Sequence, residues 1–151
     1  MLSYEQIFSR ARKNINDPKE LSLDDEDLNE IYVERLHSVL GNVRIRRMFT
    51  DLTSNDEAEE LTWTLKNTIM GSDAEEENDF VIELLALGMT IEWLKPQVES
   101  ITNISKAIGG KEEKVINDAH KVTIQRLDSL EVKLSKMIRD HGYLYNSYLQ
   151  D

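Results

Sequence analysis

The chain contains no cysteine. Disulfides, thiol nucleophiles and cysteine-ligated zinc or iron–sulfur sites are therefore excluded, and the composition suits a reducing compartment. There are only two prolines and six glycines in 151 residues, so few positions are forced to break a helix. Aromatic residues make up 7% of the chain. Bases are in deficit: 18 Lys and Arg stand against 29 Asp and Glu, for a net charge of -11. A chain of this balance does not grip nucleic acid by broad phosphate neutralisation. No apolar run approaches the length of a membrane span, so no membrane contact is expected. The opening MLSYEQIFSRARKN lacks the apolar stretch of a secretory leader, which points to synthesis and use in a cytosol.

What is present reads as one folded, mainly helical domain. Hydrophobic residues reach 40%, too many for disorder throughout. Ser3 and Gln6 have capping-box spacing, and the helix behind them sets Ile7, Phe8, Ala11 and Ile15 on one face. Asp17-Pro18 is expected to stop it. Ser22 opens a second helix with Asp24, Asp25, Glu26 and Asp27 in its first turn, where the helix dipole favours negative charge. Its apolar face is Leu28, Ile31, Tyr32, Leu36, Val39 and Leu40, and Gly41-Asn42 closes it.

Between residues 47 and 67 the period changes. ELTWTLKN alternates Leu61, Trp63 and Leu65 with Thr62, Thr64 and Lys66. MFTDLT alternates Met48, Thr50 and Leu52 with Phe49 and Asp51, and SNDEAE between them is turn-rich. This predicts a small β-hairpin inserted in the bundle. A helix through Glu57, Glu60, Leu61 and Leu65 is the competing reading.

Ser72 and Glu75 form a second capping box. Behind it runs the longest apolar seam: Phe80, Leu84, Leu87, Ile91, Leu94, Val98, Ile101 and Ile108. Steps of three and four predict a long helix buried in an antiparallel bundle, kinked near Leu94 to Pro96. After Gly109-Gly110 a last helix is expected from Lys111 or Glu112, with Ile116, Leu127, Leu130, Leu134 and Met137 inward. Gly142 is expected to end it, dividing a domain of residues 1–141 from an extended C-terminal arm, 142–151. The arm is HGYLYNSYLQD without its histidine, and it holds Tyr143, Tyr145 and Tyr148. Tyrosine suits an anchor, with a large apolar area, a polar tip and few rotatable bonds.

Chemistry is sparse. His37, His120 and His141 are not at zinc-binding spacing. Glu34-Arg35-Leu36-His37 is a single Glu-x-x-His, a motif that diiron bundles use in pairs. IGGKEEK lacks the spacing and hydroxyl residue of a phosphate loop. No catalytic residues, no metal and no cofactor are expected, and the chain is read as a non-enzyme.

Charge is the stronger signal. From Asp51 to Glu92 there are twelve acidic residues against one base, Lys66, while Arg44, Arg46 and Arg47 cluster in NVRIRRMF. The arginines suit carboxylates on a partner, phosphate, or a solvated turn. Trp93 reads as core, and Trp63 as core or interface. Arg44, Arg46, Arg47 and Trp63 are the candidate inter-subunit residues.

Trp93, Pro96, Gln97 and Val98 (W-x-x-P-Q-V), Gly109 to Lys114 (GGKEEK) and Asn146-Ser147-Tyr148 together resemble small proteins encoded in tailed-phage structural gene clusters. The resemblance covers roughly residues 80 to 148 and implies the head–tail connector, neck adaptor or head-completion family. It implies a helical bundle that forms a ring, usually twelvefold, at the neck of the virion. Such a ring joins the portal to the tail and lines a channel through which DNA passes without specific binding. Its partners would be further copies of itself, the portal protein and a second neck or tail-completion protein, with assembly in the host cytoplasm. The C-terminal arm would dock on the portal through Tyr143, Leu144, Tyr145, Asn146, Tyr148 and Leu149. Two other readings stand beside it: an assembly or interaction protein of another virion step, and a nucleic-acid-binding regulator using RIRRMF.

Overall fold

The computed structural model describes residues 1–67 and 73–144. The described chain runs β1 (Leu2–Ser3), α1 (Tyr4–Arg12), α2 (Pro18–Leu21), α3 (Asp25–Leu40), α4 (Val43–Arg46), β2 (Phe49–Asn55), β3 (Glu60–Leu65), α5 (Ala74–Ile108), α6 (Gly110–Ala119) and α7 (Lys121–Leu144). The fold is mainly α, with a small antiparallel sheet. Helix α5 is its axis: α1, α3, α6 and α7 all pack on it.

Local chemistry explains most of the boundaries. Ser3 Oγ accepts from the Gln6 backbone N–H at 3.3 Å, and Gln6 Oε1 accepts from Ser3 N–H at 3.1 Å, so the capping box of α1 is closed from both sides. Its buried residues, Tyr4, Ile7, Phe8 and Ala11, share one helical face. Pro18 does more than stop a helix. It occupies the first turn of α2, where its missing N–H costs nothing, and Asp17 caps that turn. Helix α3 is capped by Asp24, whose carboxylate accepts from Asp27 N–H at 2.8 Å, and not by Ser22. The Ser22 hydroxyl donates to the Lys19 carbonyl, leaving a full charge to meet the dipole of α3.

The hairpin lies inside the expected window, and the competing helix is excluded. Leu61 and Leu65 are buried and Trp63 half-buried, as the alternation of β3 required. The alternation read into MFTDLT is overturned. A β-bulge between Phe49 and Asp51 shifts the register, so Phe49 pairs with Leu65 and Leu52 with Trp63, and both apolar residues face inward. A third strand completes the sheet in the order β1-β3-β2, with Leu2 opposite Leu61. Two residues are too few to display a period, and β1 is invisible in the sequence. The sheet is pinned at its far end, where Asp56 accepts a hydrogen bond from Tyr4 Oη at 2.5 Å and His37 Nε2 lies 2.9 Å from the same oxygen. Burial and this carboxylate push the Tyr4 phenol up to about 12, and the Tyr4 hydrogen bond holds Asp56 below the usual carboxylate range. The lone Glu-x-x-His thus spends its histidine on the hairpin.

Asp73 caps α5 by accepting from Glu76 N–H at 2.9 Å; Ser72, the expected cap, lies outside the described residues. The helix passes through Pro96 without stopping. Its seam is only partly core. Leu84, Leu87, Ile91 and Leu94 are buried, Val98 is half-buried and Ile108 is exposed. From Leu84 to Ile91 every residue is buried, which marks a helix packed on all sides rather than on one stripe.

Helices α3 and α5 approach closely at Gly88. A Cβ placed there would sit 2.7 Å from Val39 Cγ1 and 3.1 Å from Val39 Cγ2. Val39 is itself buried and branched at Cβ, so it cannot rotate away. Gly88→Ala should therefore destabilise the protein by about 1–2 kcal/mol despite alanine's better helix propensity. Val39→Ala in the same chain should recover most of that loss, as read from urea midpoints of the four members of the cycle.

The C-terminal third differs from expectation in two ways. The single last helix is two, α6 and α7, separated at His120, whose ψ of 13° departs from the helical value. And Gly142 does not end α7, which continues to Leu144. A glycine costs a helix about 1 kcal/mol, less than the apolar contacts of the preceding turns supply. Leu127 and Leu134 are buried, and Leu130, Met137 and Ile138 pack against the core. Tyr143 and Leu144 are therefore part of α7, while Tyr145, Asn146, Tyr148 and Leu149 lie outside the described residues.

Candidate functional site

Helix α4 is a single turn, and its placement is set by its neighbours. Asn42 Oδ1 accepts from the Arg44 and Ile45 backbone N–H groups, which fixes the turn directly after α3. Ile45 is buried to 1% exposure and anchors it to the core. Arg44, Arg46 and Arg47 are left on the outside. Arg44 Nη1 donates to Ser135 Oγ at 3.1 Å, joining α4 to α7.

Beside α4 lies a cavity of about 310 Å³ lined by Arg44, Arg47, Met48, Lys66, Asn67, Ile138 and His141. The backbone explains the grouping. The Lys66 N–H donates to the Met48 carbonyl at 2.9 Å, which holds the end of β3 against the start of β2 and brings Lys66 to the two arginines. Met48 and Ile138 supply apolar surface from opposite sides, one from the α4–β2 link and one from α7. The result is an apolar floor with three cations at its edge, in a chain whose net charge is -11.

His141 closes the cavity on the α7 side. It is 5% exposed and stacks on Phe80 with ring centroids 4.8 Å apart. Burial holds its imidazole below the ordinary value; a backbone hydrogen bond at Asn67 and the charge of Glu77 act in the opposite direction. The folded state therefore prefers the neutral ring, so the histidine adds no fourth charge at neutral pH. The sign of the linkage follows. Stability is full above the ordinary imidazole range, near 6.5, and falls as the pH drops below it, because the unfolded chain then takes up a proton that the folded one resists. The melting temperature should fall between about pH 7.5 and about pH 5.5. His141→Phe, which keeps a ring against Phe80, should flatten that slope.

Of the candidate inter-subunit residues Arg44, Arg46, Arg47 and Trp63, two lie together at the cavity. Arg44 and Arg47 converge, and Arg46, although exposed, is not among the lining residues. Trp63 is elsewhere, half-buried on the sheet and edge-on to Phe49 at 6.5 Å. Lys66, Met48, Ile138 and His141 join the site unannounced. Lys66 has one visible signal in the sequence, as the lone base of a long acidic stretch. Nothing in sequence joins residues 48, 66, 138 and 141.

The opposite charge sits at the other end of α3. Asp24, Asp25, Glu26 and Asp27 are exposed at its start, next to the exposed Leu21 and Leu23. Helix α3 spans sixteen residues, about 24 Å from its acidic start to the end that leads into α4. One rigid helix thus carries an acidic, leucine-bearing end and a basic, cavity-bearing end. Among the described residues, no three His, Asp or Glu side chains are grouped so as to hold a metal ion, and no helix is long and apolar enough to cross a membrane.

Compared with protein-family models, curated proteins and solved structures, the chain matches none.

Proposed function

We propose that this chain is a structural subunit of a tailed-phage neck: a head–tail connector that assembles into a ring between portal and tail and encloses the path of the DNA. The observation that carries the reading from the structure is the charge polarity along α3, acidic with exposed leucines at one end and basic with an apolar-floored cavity at the other. A ring is built from heterologous contacts, in which one surface meets a different surface of the next copy. That arrangement calls for two unlike, complementary patches on one rigid body. The W-x-x-P-Q-V and GGKEEK segments support the same reading by resemblance. The mainly helical bundle is compatible with it. The net charge of -11, multiplied over the copies of a ring, would repel DNA from the channel wall and let it pass.

The portal contact is assigned to the C-terminal tyrosines. The docking residues are Tyr143 and Leu144, at the end of α7, with Tyr145, Asn146, Tyr148 and Leu149 beyond it. The test is to mix the purified chain with the portal protein encoded in the same gene cluster and image the mixture by negative stain. A ring of added density on the portal is expected. A chain lacking residues 145–151 should keep the same circular dichroism and melt, yet lose binding to the portal by at least about tenfold, as expected for removal of tyrosine anchors. Undiminished docking of the truncated chain would remove the arm from the proposal. Failure of the full chain to bind, together with tight and steeply salt-dependent binding to DNA, would replace the connector reading with that of a nucleic-acid-binding protein.

A further inference from the structure

The cavity beside α4 poses a recognition problem with a narrow set of solutions. Its floor is apolar, from Met48 and Ile138, and its edge is cationic, from Arg44, Arg47 and Lys66. A small inorganic anion would satisfy the edge and leave the floor uncovered. A purely apolar group would fill the floor and leave three charges facing it. The matching chemistry is an aliphatic side chain with carboxylates beside it. The chain carries that chemistry itself. Leu21 is 78% exposed and Leu23 37%, and the four acidic residues that follow, Asp24 to Asp27, are all exposed. Two open leucines within three residues, rimmed by carboxylates, have the composition of an interaction surface.

We infer that the Leu21–Asp27 segment of one copy seats in the Arg44–Arg47–Lys66 cavity of the next. This supplies the subunit contact for the ring proposed above, and rests on that reading. The contact cannot form within one molecule, because α3 holds its two ends about 24 Å apart. It forms between copies displaced by roughly one length of α3, with a leucine on the Met48–Ile138 floor and carboxylates of the first turn paired with the cations at the edge. Each copy offers both halves, so contacts propagate head to tail and close if the rotation between copies permits. The segment is preorganised: Asp17 caps α2, Asp24 caps α3, and the ion pair between Arg35 and Glu20 fixes the joint between the two helices. Little ordering entropy remains to oppose binding.

The experiment uses the full chain and two charge-reversed variants in analytical ultracentrifugation. Variant one is Asp25→Lys/Glu26→Lys, which leaves the Asp24 cap in place. Variant two is Arg47→Glu/Lys66→Glu, which leaves the Arg44–Ser135 bond in place. Circular dichroism checks that both remain folded. The wild-type chain should self-associate in a concentration-dependent way that weakens with salt. Each variant alone should have its association weakened by at least about tenfold, since like charges now face each other. Mixing the two variants should restore association, because an unaltered half of each faces an unaltered half of the other. Leu21→Ser, a change at an open position that spares the fold, should weaken wild-type association as well. If the wild type associates and the variants or Leu21→Ser associate equally well, this contact is overturned while the ring survives. If the variants are impaired but their mixture is not restored, the pairing of these two surfaces is overturned. A wild-type chain that stays monomeric at every concentration overturns this contact and also tells against a ring that forms without the portal.

Discussion

Replacing Leu87 with aspartate should abolish cooperative thermal unfolding at neutral pH. Leu87 is 4% exposed and lies in the stretch of α5 that is buried on all sides. Loss of its apolar contacts alone costs about 2–5 kcal/mol in comparable core sites. The carboxylate adds a second penalty, since its ionised form has no water and no cation there and its pKa must rise. Together these approach the entire stability of an ordinary domain, about 5–15 kcal/mol. Calorimetry at pH 7 should show no sharp transition, with circular dichroism reporting a lower helix content. Acidification should recover part of the transition by neutralising the buried group. A melt that coincides with wild type would mean that α5 is not the axis of the bundle.

The second large effect is expected at Arg35→Met. The Arg35 guanidinium is paired with Glu20, and the two side chains are 16% and 11% exposed. It also lies over the Tyr32 ring at 5.5 Å, with Arg12 at 5.6 Å from the same ring. Methionine preserves much of the volume but strands the Glu20 carboxylate in a poorly hydrated joint. Breaking a buried pair from one side costs about 3–5 kcal/mol, and the residual exposure here argues for the lower end. Urea unfolding should show a loss of about 3 kcal/mol. Removing both charges, as Glu20→Met/Arg35→Met, should recover most of it, because the penalty comes from the stranded charge rather than from the absence of attraction. Equal losses in the single and double variants would contradict that account. The same joint positions Leu21 and Leu23, so Arg35→Met should also impair self-association.

The parts of this fold that are legible in sequence are those decided by neighbours in the chain. The capping box of α1, the acidic start of α3 from Asp24 to Asp27, and the alternation of Leu61, Trp63 and Leu65 each need only a few residues to declare themselves. The departures share a different cause. Ser22 and Asp24 are both good caps, and which one acts depends on α2 ending just before them. The bulge at Phe49 and Asp51 arises from pairing with β3, and no property of MFTDLT alone reveals it. Gly142 is a reasonable helix terminator on local grounds, overruled by packing of the preceding turns of α7 on the core. Nothing along the seam of α5 announces that Gly88 lies close to Val39. The site shows the same division. A cluster of arginines at 44 to 47 is visible in sequence, but its direction is not. The turn of α4 sends Arg44 and Arg47 to the cavity and leaves Arg46 out of it, and part of the floor comes from Ile138, far along the chain.

The order of strands in the sheet has a consequence for how the chain comes to be folded. Leu2 pairs with Leu61, and the backbone N–H of Tyr4 donates to the carbonyl of Glu59 at 2.8 Å. The first strand is therefore translated fifty-nine residues ahead of its partner, a delay of roughly 3–12 s at ordinary elongation rates. During that interval Leu2 has no strand to pair with, although Phe8 can already meet the Tyr32 ring, its neighbour at 5.5 Å; α5, which covers α1, emerges later still. On its own α1 can hold its capping box, which needs no residue beyond Gln6, and the Glu5–Arg12 ion pair. Strand β1, at one edge of the sheet, is thus made well before the strand that receives it, and its apolar residue stays exposed on the nascent chain until the hairpin arrives.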